Sequence, residues 1–546
     1  MRFLQQVALG TRAALLAIAC CSLAAQPALA ARGGQLHLKI VDRDSKKPLV
    51  CRMHLSTAKG KPVLPPGIPS IADYLLIDGE ATLRLPLGTY QFDVEHGPEY
   101  LVRHGQFTIG DDADDSQVVD LKRIADLSAE GWWSGDLDVE AITGFFPLAL
   151  RADDLHVAEV VIASNAKSLG APRRSPGVRK PPARPRQPQP GAAWEIAPGH
   201  FVRISAVGDF REGGAVLIAG LQKPLKLPAA RAAEPSTTAL LAEAQLLGRC
   251  WIDVVNPASL DLPIWLASGQ VDSIELASSR LLRRGYSPLV GGRPFDRTMY
   301  PGKEGPAKWD EAIYYQLLNC GLQIPPTAGS GSGRNSNPVG YNRVYAKLDG
   351  PLTHEKWWDA VRAGRVVVTN GPLLRPSVEG HPPGHVFKAD KGQRVELEIA
   401  LTLSTQQHVE YLEVIQNGRL AHEVRLEAWS KAGGRLPKLV FDKSGWFLVR
   451  AITDAHETFR FASSGPYYVK IGYDNHVSKA AASQMLAWTE ERIAELKLPK
   501  AKVPGANEAN DREAKEPDSK ASDKTPETYR WARKFWQDRV EHATAP

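Results

Sequence analysis

The stretch "GWWSGDLDVE", residues 131 to 140, stands where the chain changes its grain. Two tryptophans and a glycine lead into Asp136, Asp138 and Glu140, three carboxylates at every second position. Upstream the pattern is strand after strand; downstream, short apolar strands alternate with amphipathic helices. The same ten residues pose a chemical question. Carboxylates spaced in this way either hold a cation or have taken in a cationic side chain.

Before that point, residues 33 to 122 alternate apolar and polar in short runs such as "QLHLKIVD", "EATLRLP" and "TYQFDVEH", separated by turn residues. This predicts a small antiparallel sandwich over residues 31–125. The phrase "LRLPLGTYQFDVEHGPEY" resembles carboxypeptidase-regulatory-like or transthyretin-like modules, which carry no chemistry of their own. From 126 to 380, strands such as "HVAEVVIAS", "CWIDVV" and "SIELAS" alternate with helical stretches such as "STTALLAEAQLLG", "DEAIYYQLLNCG" and "THEKWWDAVRAG". Such alternation predicts a parallel α/β layer or barrel, with its chemistry on loops at the strands' C-terminal ends. Residues 381–475 return to strands alone and predict a second sandwich. The segment 476–546 reads as a helix, a charged linker and a terminal helix beginning near Thr525.

At 546 residues, 43% hydrophobic and 23% charged, the chain has the composition of a multidomain globular protein. Arg2 and Arg12 precede the apolar run "AALLAIACCSLAA", and "ALA" at 28–30 offers a cleavage site, so residues 1–30 are expected to be a signal peptide. The expected destination is the periplasm or the extracellular space; lipid attachment at Cys20 ranks second. No later stretch has the apolar length of a transmembrane helix. The net charge of +6 is concentrated in the Pro/Arg-rich segment 171–192, expected to be an exposed extended loop. An exported chain with this modest excess is not expected to bind nucleic acid. Of the cysteines beyond the leader, Cys51, Cys250 and Cys320, buried thiols are the expectation, and Cys250 with Cys320 is the pair to test for a disulfide.

"GWWSGDLDVE" together with "ALRADDLHVAEVV" resembles the PHP (polymerase and histidinol phosphatase) superfamily, in its exported carbaryl-hydrolase-like metallohydrolase branch. The likeness continues through "LPIWLASGQVDSIELASSR", "GSGRNSNPVGYNRVY" and "SGWFLVRAITDAHETFRFASSGPYYV". It implies an α/β multidomain fold, a distorted (β/α)7 barrel flanked by an N-terminal β-sandwich and a C-terminal β-sandwich with terminal helices. It also implies two or three divalent cations held by histidines and carboxylates, which activate water for hydrolysis of phosphoester, ester or carbamate bonds.

This chain departs from the pattern at four places. Asp138 and Glu140 stand where the branch has two histidines, and Asp209 is displaced beside Gly208. Asn256 replaces the histidine of a His-Pro pair, and Arg280 stands where a histidine is expected. A guanidinium cannot coordinate a cation. The first expectation is therefore an incomplete metal site without cofactor, in which Arg280 pairs with Asp138 or Glu140, and a non-catalytic binding or scaffold protein. A second reading is an active hydrolase with an oxygen-rich site of Asp136, Asp138, Glu140, Asp154, His156 and Asp209 holding calcium, magnesium or manganese. A third is carbohydrate binding by the flanking sandwiches, with a small molecule or glycan as partner. Trp132 and Trp133 are expected to pack the barrel floor against the first sandwich. "AGSGSG" at 328–333 lacks the Lys-Ser/Thr ending of a phosphate loop and is expected at the barrel mouth.

Overall fold

The computed structural model describes residues 33–140, 144–165, 191–230, 232, 236–287, 291–455, 457–473, 475–497 and 526–546. The expected leader with Cys20, nearly all of the Pro/Arg-rich segment and the charged linker at 499–525 lie outside the described residues.

Strands between Gly33 and Leu121 form an eight-stranded sheet, antiparallel except where Gly33–Asp42 runs beside Asp114–Leu121. Alternation puts Leu36, Leu38 and Ile40 of the first strand and Leu83 and Leu85 of its neighbour on the buried side. The pairing is continuous rather than split into two sheets. Gly79, at φ 77°, makes the tight turn that joins Tyr74–Asp78 to Glu80–Pro86, a conformation glycine adopts without steric cost.

The next sheet has sixteen strands. Its first part runs Trp132–Val139, Val157–Ser164, His200–Arg211, Gly214–Ala219, Trp251–Val254, Ser273–Ala277 and Pro326–Ala328 in spatial order. Neighbours are parallel except for Gly214–Ala219, which runs antiparallel to both strands beside it. The two ends of this run meet, because Val139 forms a parallel bridge with Ser332 just beyond the last strand.

Helices Thr237–Leu247, Gly305–Asn319 and His354–Arg362 fall where the amphipathic runs predict them. Ser236 and Thr353 cap two of them, each side-chain oxygen accepting a backbone N–H at 3.2 Å, a contribution of about 1 kcal/mol per cap. Trp357 of the last helix packs so closely on Gly135 that a Cβ there would lie 2.1 Å from its ring. The glycine in "WWSGDLD" is thus required by packing against the strand.

The same sheet continues through Arg343–Lys347 and Val366–Thr369 into Phe461–Ser464, Gly445–Thr453 and Val409–Gln416. A three-stranded sheet of Leu373–Val378, Val395–Ser404 and Arg435–Phe441 covers this C-terminal part over a shared core of Leu397, Leu412, Phe447 and Tyr467. The C-terminal layers therefore reach back before residue 381. Helices Lys479–Lys497 and Glu527–Glu541 return to Leu262–Ala267, and Asp261 receives Arg492 Nε at 2.8 Å and the Tyr529 hydroxyl at 3.0 Å. No helix among the described residues is long and apolar enough to cross a membrane.

One packing expectation is corrected. Trp132 belongs to the C-terminal core with Tyr345, Val367 and Val449, whereas Trp133 lies against the central core and edge-on to His156 at 4.8 Å. Consecutive strand residues face opposite sides, so the two rings cannot share one floor. The Cys250–Cys320 pair does not form; Cys51, Cys250 and Cys320 are all free thiols.

Candidate functional site

The strand Trp132–Val139 places Ser134, Asp136 and Asp138 on one face, all without solvent exposure. Glu140 follows at the strand end. Beyond Pro326–Ala328, the loop through Gly329, Ser330 and Ser332 lies directly against this end. Gly331 donates its amide to the Asp138 carbonyl at 2.8 Å, and Glu140 donates to the Ser332 carbonyl at 2.8 Å. A Cβ at position 329 would come within 2.5 Å of Asp138 Cβ and of Glu275 Oε1, so only glycine lets the loop pass over the carboxylates. The "AGSGSG" segment thus lies directly over the strand ends.

The loop carries the decisive side chain. Arg334, 3% exposed, forks onto Asp138: Nη1 lies 3.1 Å from Oδ1, and Nη2 pairs with Oδ2. Its Nη1 also pairs with Glu140, Nη2 donates to Ser279 Oγ at 2.9 Å, and the guanidinium lies 4.6 Å from the centre of the Phe210 ring. Bidentate contact of this kind is the strongest ordinary arginine–carboxylate geometry. Burial works against the Arg334 charge, but Asp138 and Glu140 more than offset it and its pKa is raised.

Arg280 is not that partner, contrary to expectation. Its Nη1 lies 3.0 Å from both oxygens of Asp310 on the helix Gly305–Asn319, it pairs with Asn256, and it covers the Tyr286 ring at 4.7 Å. Tyr286 donates to the same Asp310 carboxylate at 2.8 Å. Arg280 Nη1 therefore joins Asn256 Oδ1 to a helix carboxylate, while Arg280 Nε and Asn256 Nδ2 have no hydrogen-bond partner among the described residues.

The six carboxylate and histidine candidates divide into three places. Asp136, Asp138 and Glu140 come together under the loop. Asp136 accepts amides from Asp138 at 3.0 Å, Ser330 at 2.9 Å and Gly340 at 2.8 Å; burial still pushes its pKa up to about 6. Asp154 and His156 lie toward the other end of the strand. His156 Nδ1 is 2.9 Å from Ser134 Oγ, and four residues of strand separate Ser134 from Asp138, about 13 Å. Burial lowers the His156 pKa to about 4. Asp209 is held elsewhere again, by Arg211 Nε and Nη2 at 2.8 Å each, by Thr237 at 2.9 Å and by Asn165 at 2.8 Å. The oxygen-rich site of all six is therefore not assembled.

Two residues missing from the sequence reading complete the cluster. Asp253 and Glu275 sit in the middle of the parallel strands Trp251–Val254 and Ser273–Ala277, at 1% and 0% exposure. Asp253 Oδ1 accepts hydroxyls from Ser273 and Thr327 at 2.7 Å each, while Oδ2 has no partner; both Glu275 oxygens are without one. Burial raises Asp253 to about 7 and, with the neighbouring Asp253 and Asp138 charges, raises Glu275 well above its usual range. A lone carboxylate inside an apolar strand run was the available signal.

A carboxyl group whose folded-state pKa is raised binds its proton more tightly when folded. Its contribution to stability falls as pH rises from the unfolded to the folded pKa. Asp253→Asn removes that penalty and retains a side-chain oxygen for Ser273 and Thr327. The variant's stability relative to wild type is expected to improve progressively between pH 4 and 7 and to level off above, by more than about 1 kcal/mol in total. Urea unfolding at pH 5 and pH 8 measures this; a pH-independent difference would contradict it.

The donor set does not suit the di- or trinuclear centre implied by the resemblance. Asp138 is occupied on both oxygens by a guanidinium, and no histidine lies among the residues joined to Arg334. Among the described residues no group of three or more histidine, cysteine or acidic side chains has metal-holding geometry.

No family model matches the chain, and no curated protein is similar to it at a significant level. Solved structures with limited similarity include two bacterial proteins. The Bacillus anthracis TIE protein is 19% identical over 20% of this chain and 19% of its own, with a TM-score of 0.14. A streptococcal ancillary pilin is 20% identical over 20% of this chain and 37% of its own, also with a TM-score of 0.14.

Proposed function

We propose that this protein is an exported, non-catalytic relative of PHP-type metallohydrolases, serving as a binding or scaffold protein. Its central strands are read as a distorted (β/α)7 barrel, with Gly214–Ala219 as the reversed strand and the Val139–Ser332 bridge as the closure. One observation carries the functional reading: the Arg334 guanidinium is buried against Asp138 and Glu140, at the strand end where the resemblance places two metal-binding histidines. A fixed monovalent cation there neutralises carboxylates that would otherwise repel one another. It supplies no open coordination position and lowers no water pKa, the two requirements of metal-assisted hydrolysis.

The test is an activity screen of the full chain with nitrophenyl phosphate, acetate and carbamate esters, with zinc or manganese added. Rates at the buffer background are expected throughout. Metal-dependent turnover abolished by Asp138→Asn would overturn the proposal and favour the active-hydrolase reading.

A further inference from the structure

The Arg334 cluster occupies one end of the central strands, and a cavity of about 380 Å³ lies at the opposite end. Its wall includes Trp251 and Pro325, where Trp251–Val254 and Pro326–Ala328 begin, and Ala219, where the reversed strand Gly214–Ala219 ends. Three arginines reach it from separate elements: Arg203 from His200–Arg211, Arg249 from the segment before Trp251, and Arg362 from the last turn of His354–Arg362. Asp272 is the only acidic side chain in the wall among the described residues. Cys250, its thiol pushed up to about 11 by burial, adds no charge near neutral pH.

Arg203 is held in place from behind. Its Nε donates to Glu159 at 2.8 Å, and its guanidinium lies 5.1 Å from the centre of the Trp358 ring. Glu159 in turn lies 2.9 Å from His354 Nε2 and accepts Trp358 Nε1 at 2.8 Å. Both Nη groups of Arg203 stay reachable by solvent and have no hydrogen-bond partner among the described residues. Gly220 makes room for them: a Cβ there would lie 3.1 Å from Nη1 and 3.4 Å from Nη2.

The other two arginines are still less committed. Arg362 lies over the same Trp358 ring at 5.8 Å, and its Nη1 meets Asp359 at 2.8 Å in an exposed pair of little worth. Its Nε and Nη2 have no partner among the described residues. Arg249, exposed, makes no hydrogen bond or ion pair among the described residues. Burial pushes the Asp272 pKa up, and the Ile252 amide, Arg362 and Arg249 oppose it, so both guanidinium charges act on that one carboxylate. The unspent donors outnumber what a carboxylate ligand can accept, since its two oxygens offer about four lone-pair sites. A phosphoryl group presents a third terminal oxygen and carries close to a second charge.

We propose that this cavity binds a phosphoryl group, as free phosphate or as the ester of a small molecule, between Arg203, Arg249 and Arg362. The volume falls within the range of small-molecule pockets, and Val271, Ile324 and Pro325 supply an apolar wall for the carbon part of an ester. The site shares no residue with the Arg334 cluster. Its failure would appear in binding, and that of the non-catalytic reading in metal-dependent turnover.

Isothermal titration of the full chain with phenyl phosphate, inorganic phosphate and benzoate at matched ionic strength tests it. Saturable binding of a phosphate compound is expected, with benzoate at least tenfold weaker. Tighter binding of phenyl phosphate identifies an ester as the ligand, and tighter binding of inorganic phosphate identifies the free ion. Arg249→Gln, at an exposed position without partners, is expected to weaken binding at least fivefold at an unchanged melting temperature, and Arg362→Gln to do the same. Absence of saturable binding, benzoate binding as tight as phosphate, or unchanged affinity in both variants would overturn the proposal.

Discussion

Arg334→Ala is expected to cost about 3–5 kcal/mol, the range for deleting one partner of a buried ion pair. The substitution leaves Asp138, fully buried, without its counter-charge, beside Asp253 and Glu275. The stranded carboxylate then gains affinity for a proton in the folded state. The loss is therefore expected to be greater at pH 8 than at pH 5, because high pH requires the unpaired charge. Arg334→Lys retains one positive charge and loses the fork onto two oxygens, so an intermediate loss follows. Denaturant unfolding at both pH values measures all three proteins. A loss below about 1 kcal/mol for the alanine variant would mean that Arg334 does not neutralise the cluster.

A comparable effect is expected at a different junction. Arg52, 4% exposed on the first sheet, pairs with Glu95 of that sheet and with Asp153 in the turn before Val157–Ser164. Burial by itself would raise Glu95, yet Arg52 and Arg283 hold its carboxyl well below the usual range. Arg52→Ala leaves Asp153, 3% exposed, without the guanidinium that pairs with its carboxylate. A loss of about 3–5 kcal/mol follows from the same reasoning. Because the pair joins two sheets, the variant should also expose the connection between Leu121 and Trp132. Faster limited proteolysis there is the expected result, and wild-type proteolysis with unchanged stability would contradict it.

What could be read from the sequence follows from what periodicity encodes. The helices Thr237–Leu247, Gly305–Asn319 and His354–Arg362 lie where their amphipathic runs place them, and the strand bearing Asp136 and Asp138 lies where the resemblance implies one. The sharing of one sheet by the central and C-terminal strands was not legible. Val366–Thr369 pairs with Phe461–Ser464 across nearly a hundred residues, and nothing local to either strand encodes its partner. The site shows the same limit. That a cation would neutralise Asp138 and Glu140 follows from their chemistry, but which arginine does so depends on where two loops end. Arg280 turns to Asp310 on a neighbouring helix, while Arg334 arrives from a Gly/Ser loop distant in sequence from the strand it meets. Asp253 and Glu275 are legible as charges within apolar strands, but nothing local to either strand encodes their meeting with Asp138.

The most direct test of the account is the metal content of the full chain after incubation with zinc, manganese or calcium and removal of unbound ion. Elemental analysis is expected to find far less than one ion per chain, with wild type and Asp138→Asn alike. One or more ions per chain, lost in Asp138→Asn, would contradict it.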